Sequence, residues 1–200
     1  MHSLPSNVLS DLTWSEVAEY LAERRSILVP IGSTEQHGPA GPLGLDTLVA
    51  LGLSEDAAQQ SGALVAPPIW IGDSHHHGAF PGTLWVRAAT LIAFVSDVAD
   101  SLAQSGFTRQ IWVNGHKGSN LPALQIALRE LYESKWPTAQ FAIADPLHLG
   151  RDIGERLRRE PEHHGGALEL SQLMFRYPGK VREALLSSDH ADLSAHGGGI

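Results

Sequence analysis

Gln110-Ile111-Trp112-Val113-Asn114-Gly115-His116-Lys117-Gly118-Ser119-Asn120 joins a short apolar run to a glycine-flanked turn, and a helical pattern from about Ser119 to Ser134 follows at once. A continuous run rich in β-branched and aromatic residues reads as a strand buried on both faces, which is how strands of parallel sheets read. The same alternation recurs on either side. Ile27-Leu28-Val29-Pro30, Ala63-Leu64-Val65-Ala66 and Gln140 to Ala144 are further strand candidates; Ile69-Trp70-Ile71 continues the second or forms another, and a short strand is expected near Leu84 to Val86. Helices are expected over 14 to 25 behind the capping box Thr13-Trp14-Ser15-Glu16, and from an Asp46 cap to about Gln60. Others should run from a Thr90 cap to Gly106, from about Gly150 to Arg159, and from Gly166 to Arg176. Strands alternating with helices imply an α/β fold of three layers, α/β/α, around a mostly parallel sheet. One domain spanning 1 to 200 is expected, with ligands gathering outside the carboxyl ends of the strands.

Bulk properties exclude several partners. At 42% hydrophobic and 18% charged, 200 residues can bury a sizeable core. The formal net charge of -8, from 14 Lys+Arg against 22 Asp+Glu, comes with no basic block, so nucleic acid is not expected. No signal-peptide pattern and no long apolar run is present, which predicts neither a membrane partner nor secretion and places the protein in the cytoplasm. Cysteine is absent, so any metal must be held by imidazoles and carboxylates. Eleven histidines, many beside Gly and Asp, call for a chemical explanation.

Three loops supply one. Gly32-Ser33-Thr34-Glu35-Gln36-His37-Gly38-Pro39 is followed by Asp46 in Leu43-Gly44-Leu45-Asp46-Thr47. Glu35 and His37 project to one side of an extended stretch, and a flexible loop lets Asp46 return to them, giving the ligand types that Zn, Mn or Fe takes without thiolates. A polar turn with a helix-capping Asp is the plainer account. The second loop sets His116 on its sharp bend, which suits a ligand facing a cleft or an incidental loop His. The third is His163-His164-Gly165-Gly166-Ala167-Leu168-Glu169, where Glu169 in a first helical turn is explained equally by the helix dipole. Asp73, His75, His76 and His77 form a fourth polar cluster, read as lining a pocket.

From about Leu28 to Arg182 the sequence resembles the creatininase (creatinine amidohydrolase) family. The likeness rests on Gly32 to Thr47, on Phe80-Pro81-Gly82-Thr83, on Asn114 to Asn120 and on the segment around His164 to Ser171. It implies two divalent metal ions (Zn, Mn or Fe) bridged by Asp46, one also held by Glu35 and His116, the other by His37 with Glu169 completing it. A metal-activated bridging water would then cleave a C–N bond of a small amide or cyclic amide. The alternatives are a formamide deformylase, a small-peptide amidase, a cyclic keto-sugar hydrolase, or a metal-binding subunit without catalysis. His164 is the expected proton shuttle beside Glu169, and Lys117, His76 and His77 the expected substrate contacts. Relatives imply a homo-oligomer, a hexamer. Ala40-Gly41, Lys117, Ser119, Gly165 and Leu170 depart from the common pattern, which predicts an intact metal core with a changed substrate wall, and the carboxyl end is short for the family.

Overall fold

The computed structural model describes residues 4–116, 118–149 and 164–186. Helix α1 (Trp14–Glu23) opens on the expected capping box, in which the Glu16 amide donates to Thr13 Oγ1 and the Thr13 amide donates to the Glu16 carboxylate at 2.7 Å. Strand β1 (Ser26–Ile31), helix α2 (Leu45–Ser61), the two-residue strand β2 (Leu64–Val65), helix α3 (Ala88–Ser105), strand β3 (Arg109–Asn114), helix α4 (Asn120–Ser134) and strand β4 (Gln140–Ala144) follow. A short helix α5 (Pro146–Leu149) and a helix at Ala167–Arg176 complete the helices and strands described, with 3-10 turns at Leu9–Asp11, His75–His77 and Glu183–Leu185. The helix expected over Gly150 to Arg159 lies outside the described residues.

All four strands are parallel, in the order β2-β1-β3-β4. Alternation with period two splits each strand between two faces. Ile27, Val29, Ile31 and Trp112 pack with Val95, Ala99, Leu102 and Leu124 of α3 and α4, whereas Leu28 and Val113 pack with Ala50 and Ala58 of α2. The helix Ala167–Arg176 covers the near end of α2 through Leu45, Leu170 and Leu173. These are the three expected layers. The chain passes from β1 through α2 to one edge, then returns over α3 to β3 and on to β4, so the direction of winding reverses between β1 and β3. A crevice opens at the carboxyl ends where neighbouring strands diverge in this way.

Several local expectations are corrected. Asp46 does not cap α2, because the helix starts one residue earlier behind Gly44 and the Asp46 carboxylate turns away toward two imidazoles. Likewise Thr90 sits inside the first turn of α3, which begins at Ala88 after the extended Arg87. Ile69 makes only an isolated bridge to Ile31, and Leu84 and Trp85 make only isolated bridges to Thr34 and Gly72, so neither segment is a strand. Prolines at 67, 68 and 81 remove the amide donors a longer ladder would need. Among the described residues, no helix is long and apolar enough to cross a membrane.

Candidate metal centre

The turn after β1 carries Glu35 and His37, the first turn of α2 carries Asp46, and the turn after β3 carries His116. Two glycines explain how closely these segments meet. A Cβ on Gly32 would collide with the Thr47 backbone, and one on Gly115 would land on the Asp46 carbonyl. The first turn of α2 therefore rests directly on the exits of both central strands, main chain against main chain. Glu35 is 0% exposed, Asp46 2% and His116 5%.

Three histidines share one arrangement. His37 Nδ1 donates to the Glu35 carbonyl at 3.1 Å, His116 Nε2 donates to the Asp73 carbonyl at 3.1 Å, and His164 Nε2 donates to the Gln36 carbonyl. Each ring thus turns its other nitrogen toward buried carboxylates. His37 Nε2 lies 2.8 Å from Asp46 Oδ1, His116 Nδ1 lies 3.1 Å from both Glu35 Oε1 and Asp46 Oδ2, and His164 Nδ1 lies 3.8 Å from Glu35 Oε1. A carbonyl that fixes one ring nitrogen is the usual way a metal-binding imidazole is oriented.

Despite those distances, among the described residues neither Glu35 oxygen nor Asp46 Oδ2 receives an aligned hydrogen bond, although all three atoms are buried. Leaving carboxylate lone pairs dry and unsatisfied costs several kcal/mol, on the order of that for other buried charges. A divalent cation among them removes that penalty, and the oxygen and imidazole donor set fits Zn, Mn or Fe. Glu35, Asp46 and His116 place their ligand atoms within 4.8 Å of one another; so do Glu35, His37 and His164, and so do Glu35, His76 and His77.

Electrostatics point the same way. Burial opposes charging His116, but Asp46 and Glu35 outweigh it and push its pKa to about 10. Burial would likewise raise Asp46, yet His116 and His37 hold it down at about 2. His37 is raised because Asp46 overcomes its burial, and Glu35 is lowered because His116 does the same. Without a metal, protons on the imidazoles do the work of a cation. The groups facing His116 are Glu35, Asp46 and the stacked ring of His76, 6.0 Å away. Metal uptake at pH 7 is therefore expected to expel close to one proton from His116, with apparent affinity rising about tenfold per pH unit until pH about 10. Calorimetry in two buffers of different ionisation enthalpy reads the proton; uptake without release would show that His116 is not displaced.

The remaining expected residues fall as follows. His77 stacks on His164 at 4.4 Å and His76 lies 4.2 Å from His77, so both border the cluster, whereas His75 turns away to meet the edge of Trp85. Glu169 belongs to none of the three groups, and its Oε2 accepts from the Gly165 amide at 2.8 Å. Its charge is felt at His37. Lys117 lies outside the described residues. Ala40, expected in a changed substrate wall, is buried among Leu45, Leu170 and Leu173 instead.

Other contributors had no role assigned from sequence. Asn120 is fully buried, accepts from the Asp73 amide at 3.0 Å and donates to the Gly32 carbonyl at 2.9 Å, tying together the loops that carry the site. Asn114 brackets the His116 main chain, accepting from its amide at 3.2 Å and donating to its carbonyl at 2.8 Å. Gln36 serves through its carbonyl, which leaves no trace in a side-chain pattern. The two asparagines were visible in the Asn114 to Asn120 motif, but not what they bind.

The profile of the creatininase (creatinine amidohydrolase) family matches residues 10–197. The chain belongs to the creatininase family. Its curated relatives include the 3-dehydro-scyllo-inosose hydrolase of Thermotoga maritima, 38% identical over 106 residues, which are 52% of this chain and 34% of that protein. A mycofactocin precursor peptide peptidase of Mycolicibacterium smegmatis is 40% identical over 134 residues, 62% of this chain and 53% of the relative. The matched regions thus span about a third to a half of those two creatininase-family proteins. A crystal structure of creatinine amidohydrolase superposes with a TM-score of 0.83 at 28% identity, covering 94% of this chain and 78% of the other. A mutant creatininase of Zn-Zn type and a manganese form of creatininase superpose with TM-scores of 0.78 and 0.82 at 28% and 27% identity.

Proposed function

We propose that this creatininase-family chain is a metal-dependent hydrolase that cleaves a C–N bond in a small amide or cyclic amide. The observation that carries the reading is the inward turn of three carbonyl-oriented imidazoles onto buried carboxylates without aligned donors. Glu35, Asp46 and His116 would hold one divalent ion, and Asp46 with His37 a second. Such ions, when bound, supply Lewis acidity toward a carbonyl and acidify a water toward neutrality, from ~15.7 in bulk.

The protein's own groups do the rest. Asp46 belongs to both positions because its two oxygens face different imidazoles. His164, anchored at Nε2, keeps Nδ1 as the proton-accepting atom, and burial together with the positive field of His37 lowers its pKa. A neutral imidazole at the cluster's edge is equipped to take a proton and pass it to the leaving nitrogen. His76 and His77 border the entrance and are assigned to substrate, as is Lys117. Geometry also favours a second assignment for His164, as a ligand of the ion at His37 in the place the resemblance gives to Glu169.

A panel of creatinine, formamides and small lactams, offered to metal-loaded protein, tests the reading. His164→Ala should reduce turnover by about 10²-fold or more with metal content unchanged, as expected for loss of a general acid–base group. Loss of an ion would make His164 a ligand, and full turnover with full metal content would remove it from the mechanism. No turnover of any substrate by metal-loaded parent protein would count against the whole assignment. A homo-oligomer, hexameric by the resemblance, belongs to the same proposal. Exposed Trp70, Leu84, Trp85 and Phe94 offer apolar surface for it, and light scattering reads the subunit count.

A further inference from the structure

The substrate role assigned to His76 and His77 does not account for their grouping with Glu35 as ligand atoms that could hold an ion. Its 3-10 turn is pinned, since the His77 amide donates to the Ser74 carbonyl at 2.9 Å and Thr83 Oγ1 donates to the His77 carbonyl at 2.9 Å. His75 is diverted to Trp85, which leaves His76 and His77 together on the side of Glu35. Glu35 is common to all three ligand groups and has two oxygens, neither with an aligned donor among the described residues. One carboxylate oxygen can therefore serve the buried centre while the other serves a neighbour.

We propose that Glu35, His76 and His77 form a third, outer cation site that takes one borderline divalent ion such as Zn2+ or Co2+. Two imidazoles with one carboxylate favour such ions over Mg2+ or Ca2+, which prefer oxygen alone. Ligand atoms bound to one tetrahedral ion stand roughly 3.4 Å apart at the usual bond lengths of about 2.0 to 2.1 Å. The group's 4.8 Å limit is within reach of small rotations by the exposed His76. The competing contact, Gln36 Nε2 to His77 Nδ1, is long at 3.3 Å and holds that ring weakly. Because His76 is exposed while Asp46 and His116 are buried, an arriving ion meets this site before the inner one. The outer site extends the metal-centre reading and is separable from it by experiment.

Full-length protein stripped by chelation is titrated with Co2+ under visible absorption, and Zn2+ content is measured after equilibrium dialysis. The parent is expected to take up three equivalents, the last the weakest. His76→Gln with His77→Gln should lose that last equivalent and keep the stronger two. A double variant that retains every equivalent of the parent would overturn the proposal, whatever the parental total. If the histidines serve substrate alone, the double variant changes KM and leaves the metal count untouched, which counts against the site equally. Asp46→Asn, titrated in parallel, reports on the inner centre separately, because Asp46 is not among the outer donors.

Discussion

Asp46→Asn is expected to reduce turnover by at least about 10³-fold, equivalent to roughly 4 kcal/mol of transition-state stabilisation, in metal-supplemented assays. The exchange keeps shape and removes one negative charge at the point where two imidazoles converge, 2.8 Å from His37 Nε2 and 3.1 Å from His116 Nδ1. The metal-free protein should register the same loss through its acid–base behaviour. Asp46 is the leading group that raises His116, so the His116 pKa should fall from about 10 in the variant. A raised imidazole contributes its full stability below the unfolded value near ~6.5 and loses it as pH climbs through the folded value. The parent without metal should therefore lose stability between pH ~6.5 and ~10, and the variant should show a flatter profile across that window. NMR titration of His116 and urea denaturation at several pH values measure both. Metal-loaded Asp46→Asn that turns over substrate at the parental rate would sink the hydrolase assignment.

Gly115→Ala should be strongly destabilising. The added carbon would land on the Asp46 carbonyl and stand 3.3 Å from Ala50 Cβ, so α2 must retreat from the exit of β3. Overpacking against rigid main chain, with no flexible side chain to yield, is expected to destabilise by about 3 kcal/mol or more. In a chain of this size that lowers Tm by roughly 6 to 12 °C. Retreat of α2 also carries Asp46 away from His116, so metal affinity should drop even at temperatures where the variant remains folded. Parental Tm and metal affinity together would show that the two segments are not in contact. Gly118→Ala is the control, since among the described residues nothing lies within 4 Å of a Cβ there.

Much of this architecture is legible in the sequence because it depends on side-chain periodicity. Ile27 to Pro30 and Ile111 to Val113 are apolar on both faces, and both lie in central strands. The ends of elements are less legible. Asp46 has the chemistry of a helix cap, and nothing local reveals that distant imidazoles compete for its carboxylate. The β2 segment reads as four residues and pairs as two, because pairing depends on what its neighbour offers. At the candidate centre, residue types suggested which groups could ligate. The orienting carbonyls of Glu35, Gln36 and Asp73 could not be read, since every residue has one. Nor does the triplet at 75 to 77 declare which ring faces outward; the division depends on Trp85, eight to ten positions further on.

That imidazoles take their bearings from peptide groups has an evolutionary corollary. Any amino acid other than proline at position 73 supplies the same oxygen to His116 and the same amide to Asn120, so replacement there can reshape the surroundings of the candidate centre while its cage keeps its aim. Selection can therefore act on the cavity lining and on the ion cage as nearly independent traits, which makes the scaffold a natural starting point for acquiring new substrates.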